Sequence, residues 1–229
     1  MGLLWSGIPS FLISSSSSVL GRSSVAVETG TYKGTTTLKL SQSFSSVSSI
    51  EKSVKFFNAA SKRLGHCPNV DLQLGDSAYH LLPLIPGPDI GCLFWLDAHF
   101  SGGLTAGEQS HCPLMSELHQ ILSSRNASNT VILIDDSRGL IGKSGWPLLS
   151  ELIDLLIQGG FSSIIIDDVL IASSIESLGT IAEDFSRSRT SKFERLGGRM
   201  SLVTGLVKSL GFITGTAFKI KHANLFSKK

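Results

Sequence analysis

The amino-acid sequence of this 229-residue chain predicts a doubly wound α/β fold, with a mostly parallel sheet of seven strands and helices on both faces. Short, continuously apolar segments of strand length recur along the chain. Segments with apolar residues at helical spacing lie between them, and this alternation is typical of a parallel sheet covered on both faces. The hydrophobic fraction of 41%, against 17% charged residues, is enough for a sizeable core.

The individual elements follow from the local pattern, taken in chain order. Residues 23–27 form a short β-branched run that ends in a glycine-containing loop, and a helix at 35–43 follows. The other strands are predicted at 46–50, 70–74, 92–96, 131–134, 163–166 and 169–172. Further helices are predicted where apolar residues recur every three or four positions, at 53–64, 114–123 and 147–158. Asp167 and Asp168 indicate a chain reversal, which makes 169–172 an antiparallel edge strand.

Segments of different composition flank the predicted domain at 23–173. Residues 1–22 are rich in serine and contain no acidic residue, so we expect either a poorly ordered leader or a short helix laid on the domain. Residues 174–229 form a basic extension with ten Lys and Arg against four Asp and Glu, whereas residues 1–173 hold ten against fourteen. Such a tail either contacts an anionic surface or is a solvated appendage. Within it, 200–212 is apolar at helical spacing and 216–221 is a candidate strand.

The composition favours the cytoplasm. No apolar run approaches the roughly 20 residues that span a bilayer, and the apolar start lacks the basic residues and cleavage site of a signal peptide. Cys67, Cys92 and Cys112 are odd in number and scattered, which favours reduced thiols. No clear nucleic-acid or membrane signature is present, and the pattern leaves a homo-oligomer open.

Acidic residues follow five successive predicted strands. They are Glu28, Glu51, Asp76, Asp97 and the pair Asp135-Asp136. Ligands of parallel α/β sheets bind at the carboxyl ends of the strands. The series therefore indicates a cleft that handles hydroxyl groups, amines or a metal ion.

The loop after the first strand has the character of a cofactor-binding turn. Gly30 and Gly34 frame it with Gly-x-x-x-Gly spacing, which differs from the Gly-x-Gly-x-x-Gly of dinucleotide sites. Glu28 would repel a pyrophosphate but suits the amino group of a methionine moiety, so a nicotinamide-dependent oxidoreductase is disfavoured. Glu51 is placed to accept both ribose hydroxyl groups, and Asp76 to accept from the adenine amine. Each feature alone also fits an ordinary turn. All three together, at the ends of successive strands, indicate S-adenosylmethionine (SAM).

These segments resemble the class I SAM-dependent methyltransferases. Residues 28–36, Glu-Thr-Gly-Thr-Tyr-Lys-Gly-Thr-Thr, resemble motif I in the form found in catechol and caffeoyl-CoA O-methyltransferases. Residues 25–172 are similar, more narrowly, to largely uncharacterised bacterial SAM-methyltransferase-like proteins, which share Trp-Leu-Asp-Ala-His at 95–99, Cys-Pro-Leu at 112–114 and Ile-Asp-Asp at 134–136. The resemblance implies a Rossmann-like methyltransferase sheet. It also implies SAM binding by Glu28, Gly30, Thr31, Tyr32, Gly34, Glu51, Asp76, Ser77 and Asp97.

Activation of the methyl acceptor has two candidate routes. The resemblance implies a divalent ion held by Asp97, Asp135 and Asp136, with Asp136 in place of the asparagine of catechol-type enzymes. Three carboxylates are hard ligands suited to Mg²⁺ or Mn²⁺. In a metal-free enzyme His99 is the candidate general base beside Asp97, although Asp97 alternatively faces the sulfonium or caps a helix.

The sequence thus predicts a SAM-dependent methyltransferase that modifies an oxygen, or less readily a nitrogen, of a small molecule or sugar. The alternative is a non-catalytic SAM- or nucleoside-binding module that acts through a partner. The acceptor is left open, because specificity lies in loops such as 100–112, which includes a glycine-rich candidate lid at 101–107.

Overall fold

The computed structural model describes residues 7–97, 112–142 and 145–195, with side chains as far as residue 190. His99, the candidate lid and the elements predicted at 200–212 and 216–221 lie outside these residues. The strands are β1 (Val25–Thr29), β2 (Val47–Glu51), β3 (Val70–Leu74), β4 (Cys92–Leu96), β5 (Thr130–Ile134), β6 (Ser162–Ile166) and β7 (Val169–Ser173). The helices are α1 (Ser10–Leu20), α2 (Thr35–Ser41), α3 (Val54–Leu64), α4 (Ser77–His80), α5 (Leu114–Ser124), α6 (Leu149–Gln158) and α7 (Ile175–Arg195).

The strands form one seven-stranded sheet in the order β3-β2-β1-β4-β5-β7-β6. The first five strands pair in parallel, and β7 runs antiparallel to both of its neighbours, β5 and β6. The predicted α/β fold with a mostly parallel sheet is therefore confirmed, and the sheet is mixed. All five parallel strands end at one edge, so the acidic residues predicted at their ends are brought together.

The expectation that β7 is the edge strand is wrong. It lies inside the sheet, between β5 and β6, and β6 forms the edge. Burial explains this order, since all five residues of β7 are buried whereas Ile165 of β6 is 47% exposed. β7 is apolar at four of its five residues and gains most from neighbours on both sides, whereas β6, which begins with two serines, tolerates the edge. The reversal between the two strands is made at Asp167, whose φ is +54°.

Two apolar layers cover the sheet. On one face, β-strand residues such as Phe94 and Ile132 pack against Leu118 of α5 and Leu152 of α6. On the other face, the strand residues Ala26, Leu93, Trp95 and Leu133 pack against α1, α2 and α7. Both layers are fully buried at their centres, as the predicted doubly wound arrangement requires.

The chain before β1 takes part in the second layer. Leu12 and Ile13 of α1 are buried there, and the rings of Phe11 and Phe185 lie 5.4 Å apart, joining α1 to α7. Of the two expectations for residues 1–22, the structure shows the helix laid on the domain for residues 10–20. The basic extension likewise begins with a packed helix, because Leu178 and Ile181 of α7 are buried in the same layer.

A buried arginine fixes the end of the sheet away from the acidic residues. The Arg125 guanidinium donates to the backbone carbonyl groups of Pro86, Gly87, Ile90 and Asn129, and its Nε lies 3.1 Å from Thr130 Oγ1. These groups precede β4 and β5. The planar, five-donor side chain suits this set of acceptors.

Among residues 7–97, 112–142 and 145–195, no helix is long and apolar enough to cross a membrane. In the same part of the chain Cys67, Cys92 and Cys112 are free thiols, as predicted.

Candidate functional site

The loop between β1 and α2 adopts a left-handed conformation at alternate positions. The φ angles are +83° at Gly30, +51° at Tyr32 and +73° at Gly34. A Cβ on Gly34 would meet Leu64 Cδ1 at 3.0 Å, so glycine is needed there for space as well as for conformation. Tyr32 has no such freedom, and a bulky residue at positive φ is strained.

Glu51, the last residue of β2, holds this loop in place. Its Oε2 accepts a hydrogen bond of 2.7 Å from the backbone N–H of Tyr32, and its Oε1 accepts one of 2.7 Å from the N–H of Ser53. Each carboxylate oxygen has a second lone pair, so both retain acceptor capacity. The contact of this carboxylate with the hydroxyl groups of a ribose stays a prediction.

Glu28, near the end of β1, is buried among hydroxyl groups. Its Oε2 accepts hydrogen bonds from Thr37 Oγ1 at 2.5 Å and Ser49 Oγ at 2.6 Å. Because Ser49 donates to Glu28, the Thr31 hydroxyl is left to donate across its 2.6 Å contact with Ser49. Among the described residues, Glu28 Oε1 has no hydrogen-bond partner.

The environment of Glu28 favours its neutral form. Burial raises the pKa of Glu28 to about 7; the hydrogen bonds from Ser49 and Thr37 oppose the rise, and the charge of Glu51 adds to it. A cation placed against the unpartnered oxygen would lower the pKa of Glu28 and favour its ionised form. The contact of Glu28 with the amino group of a ligand stays a prediction.

Asp76 and Ser77 follow β3. Asp76 Oδ1 accepts from the N–H of Ala78 at 3.1 Å and caps α4, while Asp76 Oδ2 lies 2.7 Å from Lys52 Nζ. Ser77 is buried. The Lys52 side chain is 60% exposed, so this ion pair is solvent-screened. The contact of Asp76 with an adenine amine stays a prediction.

Asp97 follows β4, next to β1, and its backbone N–H donates to Thr29 O at 3.1 Å. Burial raises the pKa of Asp97 well above its ordinary value. The charges of Asp135, Asp136 and Glu28 raise it further, and the side chain of Trp95 opposes the rise. These carboxyl groups, on three neighbouring strand ends, therefore share one strongly negative environment.

The pair after β5 is drawn towards an arginine. Asp136 has a φ of +54°, and its Oδ1 lies 2.6 Å from Nη2 of Arg138. Arg138 also pairs with Asp168, at the β6–β7 turn. Asp135 Oδ1 accepts from the N–H of Asp136 at 2.8 Å, and burial raises the pKa of Asp135 to about 6.

The predicted metal site is not assembled by these carboxylates. In the described part of the chain, no three His, Cys, Asp or Glu side chains are grouped so as to hold a metal ion. The Arg138 guanidinium is paired with one of the two Asp136 carboxylate oxygens, Oδ1. Asp97, Asp135 and Asp136 thus do not fit Mg²⁺ or Mn²⁺ as arranged.

Glu117 of α5 is a residue of this region that the sequence analysis missed. It is 0% exposed, and among the described residues neither carboxylate oxygen has a hydrogen bond of ordinary geometry. Burial raises the pKa of Glu117 to about 7; the hydroxyl groups of Ser77 and Thr29 lie close enough to oppose the rise, and the charge of Asp76 adds to it. The sequence did carry a signal, because Glu117 lies three residues after Leu114 on the apolar stripe.

Solved structures with the same fold exist, although no protein-family model and no curated protein matches the chain in sequence. The O-methyltransferase TomG from Streptomyces achromogenes, involved in tomaymycin synthesis and solved in complex with SAM, is 18% identical, with 75% of this chain and 83% of TomG covered at a TM-score of 0.52. A precorrin-6y C5,15-methyltransferase from Geobacter metallireducens is 13% identical (75% and 91% covered, TM-score 0.49). An rRNA methylase from Streptococcus thermophilus is 16% identical (71% and 93% covered, TM-score 0.48). The likeness to TomG shows that this chain has the class I SAM-dependent methyltransferase fold.

Proposed function

We propose that this chain is a SAM-dependent methyltransferase that methylates an oxygen of a small molecule. The observation that carries the proposal is the hydrogen bond between Glu51 and the left-handed loop at Tyr32. It orients a carboxylate with spare acceptor capacity at the carboxyl edge of the sheet, next to backbone held open by Gly30 and Gly34. The TomG fold supports the same assignment.

Three parts of SAM would have a complementary group at this edge. Glu51 would hold the two ribose hydroxyl groups. The unpartnered Oε1 of Glu28 would accept from the amino group of the methionine moiety, and residues 75–77 would receive the adenine. In their ionised forms, Glu28 and Asp97 would favour a ligand that carries an ammonium and a sulfonium charge.

Asp97 is suited to take the proton of the acceptor. When bound, SAM supplies an electrophilic methyl group. The enzyme must then position the acceptor hydroxyl and remove its proton. The raised pKa of Asp97 makes this carboxylate a stronger base than an exposed one. His99, two residues further along the chain, is the second candidate for this role.

Methyl transfer that requires a divalent ion is not part of the proposal. Arg138 neutralises Asp136 instead, and the carboxylates as arranged lack a metal geometry. Measuring turnover with Mg²⁺, with Mn²⁺ and with a chelator tests this point directly.

Calorimetry with SAM, S-adenosylhomocysteine and NAD is the first test. Binding of both SAM compounds and not of NAD is the expected result, and failure to bind either SAM compound would overturn the proposal. Turnover of methyl-labelled SAM is then measured against a panel of small hydroxylated acceptors. Tight binding without turnover on any acceptor would favour the non-catalytic SAM-binding module instead.

A further inference from the structure

Two buried carboxyl groups flank the end of β1, one on each face of the sheet. Neighbouring residues of a strand point to opposite faces, so Glu28 and Thr29 serve different layers. Glu28 faces α2 through Thr37, whereas Thr29 faces α5 and lies beside Glu117. The proposed function uses Glu28 and assigns nothing to Glu117.

Hydrogen bonds on both sides of Glu117 fix its position. Ser116 Oγ donates to Ala78 O at 3.1 Å, and Gln120 Nε2 donates to the same carbonyl at 3.0 Å. Gln120 Oε1 accepts from the N–H of Leu82 at 2.9 Å. These contacts dock α5 on α4, whose first residue is Ser77, and the Ser77 hydroxyl lies close enough to Glu117 to lower its pKa.

The surroundings of Glu117 are polar but unsatisfied. Thr29 Oγ1, like both oxygens of Glu117, is buried and has no hydrogen-bond partner among the described residues. Burying unpaired polar groups is costly, and a methionine or leucine at this position of the apolar stripe would avoid the cost. A protonated carboxyl can donate to one hydroxyl group while it accepts from another. Glu117 therefore has the chemistry to order two hydroxyl groups at once.

We propose that Glu117 is a positioning residue that orients the hydroxyl groups of Ser77 and Thr29 at the adenine end of the cofactor cleft, and that it thereby sets the preference for adenine. The inference rests on the proposed function, because it requires residues 75–77 to receive the base. In this role Glu117 acts through Ser77 and is not a group that touches the ligand.

The preference is measured with two ligands that differ in the base. S-adenosylhomocysteine carries the adenine amine, and S-inosylhomocysteine carries a carbonyl group in its place, which reverses donor and acceptor. Replacing Glu117 by Met leaves Ser77 without its neighbour, and we expect affinity for S-adenosylhomocysteine to fall about tenfold, with a smaller change for S-inosylhomocysteine. We expect the affinity of Glu117→Gln for S-adenosylhomocysteine to stay within about threefold of the wild-type affinity, because the amide retains a donor and an acceptor.

Ser77→Ala tests the same contact from the other side and covers the case in which Glu117→Met does not fold. We expect Ser77→Ala to lose the same discrimination between S-adenosylhomocysteine and S-inosylhomocysteine. The variant that combines Glu117→Met with Ser77→Ala should lose no more discrimination than either single variant. Glu28→Gln is the matched control at the other end of the ligand, and it should weaken both compounds in parallel.

The outcomes separate the two proposals. If the wild type binds S-adenosylhomocysteine but Glu117→Met, or Ser77→Ala, keeps the wild-type ratio between the two compounds, Glu117 has no positioning role and the proposed function stands. The inference is also overturned if Glu28→Gln changes the ratio of the two affinities as much as Glu117→Met does. If the wild type binds neither compound, the proposed function itself fails.

Discussion

The Glu51 carboxylate and the backbone of Tyr32 are joined by a hydrogen bond of 2.7 Å, which links the end of β2 to the loop that follows β1. Tyr32 has a φ of +51°, and its ring lies 4.4 Å from that of Phe56 in α3. The hydrogen bond and the ring contact together offset the strain of a tyrosine in a conformation that favours glycine. The shape of the loop thus depends on groups from β2 and α3.

Replacing Glu51 by Gln should weaken both the loop and the cofactor site. An amide retains one acceptor oxygen, so either Tyr32 N–H or Ser53 N–H loses its partner. We expect the free energy of unfolding to fall by about 1–3 kcal/mol and SAM affinity to fall at least about tenfold. Urea denaturation and calorimetry measure the two effects.

Glu151→Gln is the control for that variant. Glu151 Oε2 also accepts from a backbone N–H, that of Leu148 at 2.9 Å, but it does so at the start of α6, in an exposed position. We expect a small loss of stability and no change in SAM affinity. Wild-type SAM affinity in Glu51→Gln would contradict the ribose assignment.

SAM affinity should increase as the pH rises through about 7. Burial raises the pKa of Glu28 to about 7, so the neutral acid predominates below that pH and the carboxylate above it. The ammonium group of SAM favours the carboxylate, and binding therefore releases a proton in this range. Calorimetry from about pH 5.5 to 8.5, in buffers of different ionisation enthalpy, measures both affinity and proton release.

Glu28→Gln should reduce this pH dependence and bind SAM more weakly at the alkaline end. Asp97, whose pKa is also raised, would account for any slope that remains. An affinity that falls with rising pH in the wild type would place the amino group of SAM away from Glu28.

Stability should fall as the pH rises from about 4.5 to about 7. The pKa of Glu28 and the pKa of Glu117 are both raised from 4.5 to about 7, so the folded chain binds these protons more tightly than the unfolded chain does. The stabilisation is full below the unfolded pKa and is lost by the folded pKa, on the order of 3 kcal/mol for each group. The charged or titratable groups that face Glu117 are Asp76 and Cys112.

Urea unfolding of the wild type, Glu117→Gln and Glu117→Met across this range measures the effect. Both variants lack the carboxyl group, so both should show a shallower decline and exceed the wild type in stability at neutral pH. If the free energy of unfolding falls equally steeply with pH in all three proteins, Glu117 has the same pKa in the folded chain as in the unfolded chain.

Arg125→Lys should destabilise the fold without affecting the cofactor site. An ammonium group has three donors and no fork, so several carbonyl groups at the amino ends of β4 and β5 lose their partner. We expect a loss of about 2–4 kcal/mol. SAM affinity of the folded variant should stay unchanged, because Arg125 lies at the opposite end of the strands. A parallel loss of affinity would show that the two ends of the sheet are coupled.

The strand ends were predictable because the pattern is local. The central strands β4 and β5 are short apolar runs, and the residue that follows each of them is visible in the sequence. Topology alone then brings Glu28, Glu51, Asp76 and Asp97 to one edge. The bounds differ from prediction by one or two residues, mostly where a strand extends into polar residues such as Glu51.

Features that depend on how side chains are oriented in the folded chain were not predictable. The sequence does not indicate that Asp136 pairs with Arg138 and that Arg138 also holds Asp168, although this removes the metal geometry expected for the pair. The left-handed backbone of Tyr32 is likewise set by Glu51 and Phe56. Glu117 was visible on the apolar stripe of α5, but a single acid on such a stripe is easily read as a surface position.

Because β7 lies inside the sheet, the sheet stays incomplete during synthesis until β7 has emerged. Until residues 162–173 have emerged and paired, β5 presents an open edge, although all five of its residues are buried in the finished protein. Nascent chains that end before the hairpin should therefore self-associate through that edge, and release of the hairpin should abolish the association. Sedimentation of stalled chains ending near residue 160 and near residue 195 would show whether the hairpin acts as an intramolecular protector of β5.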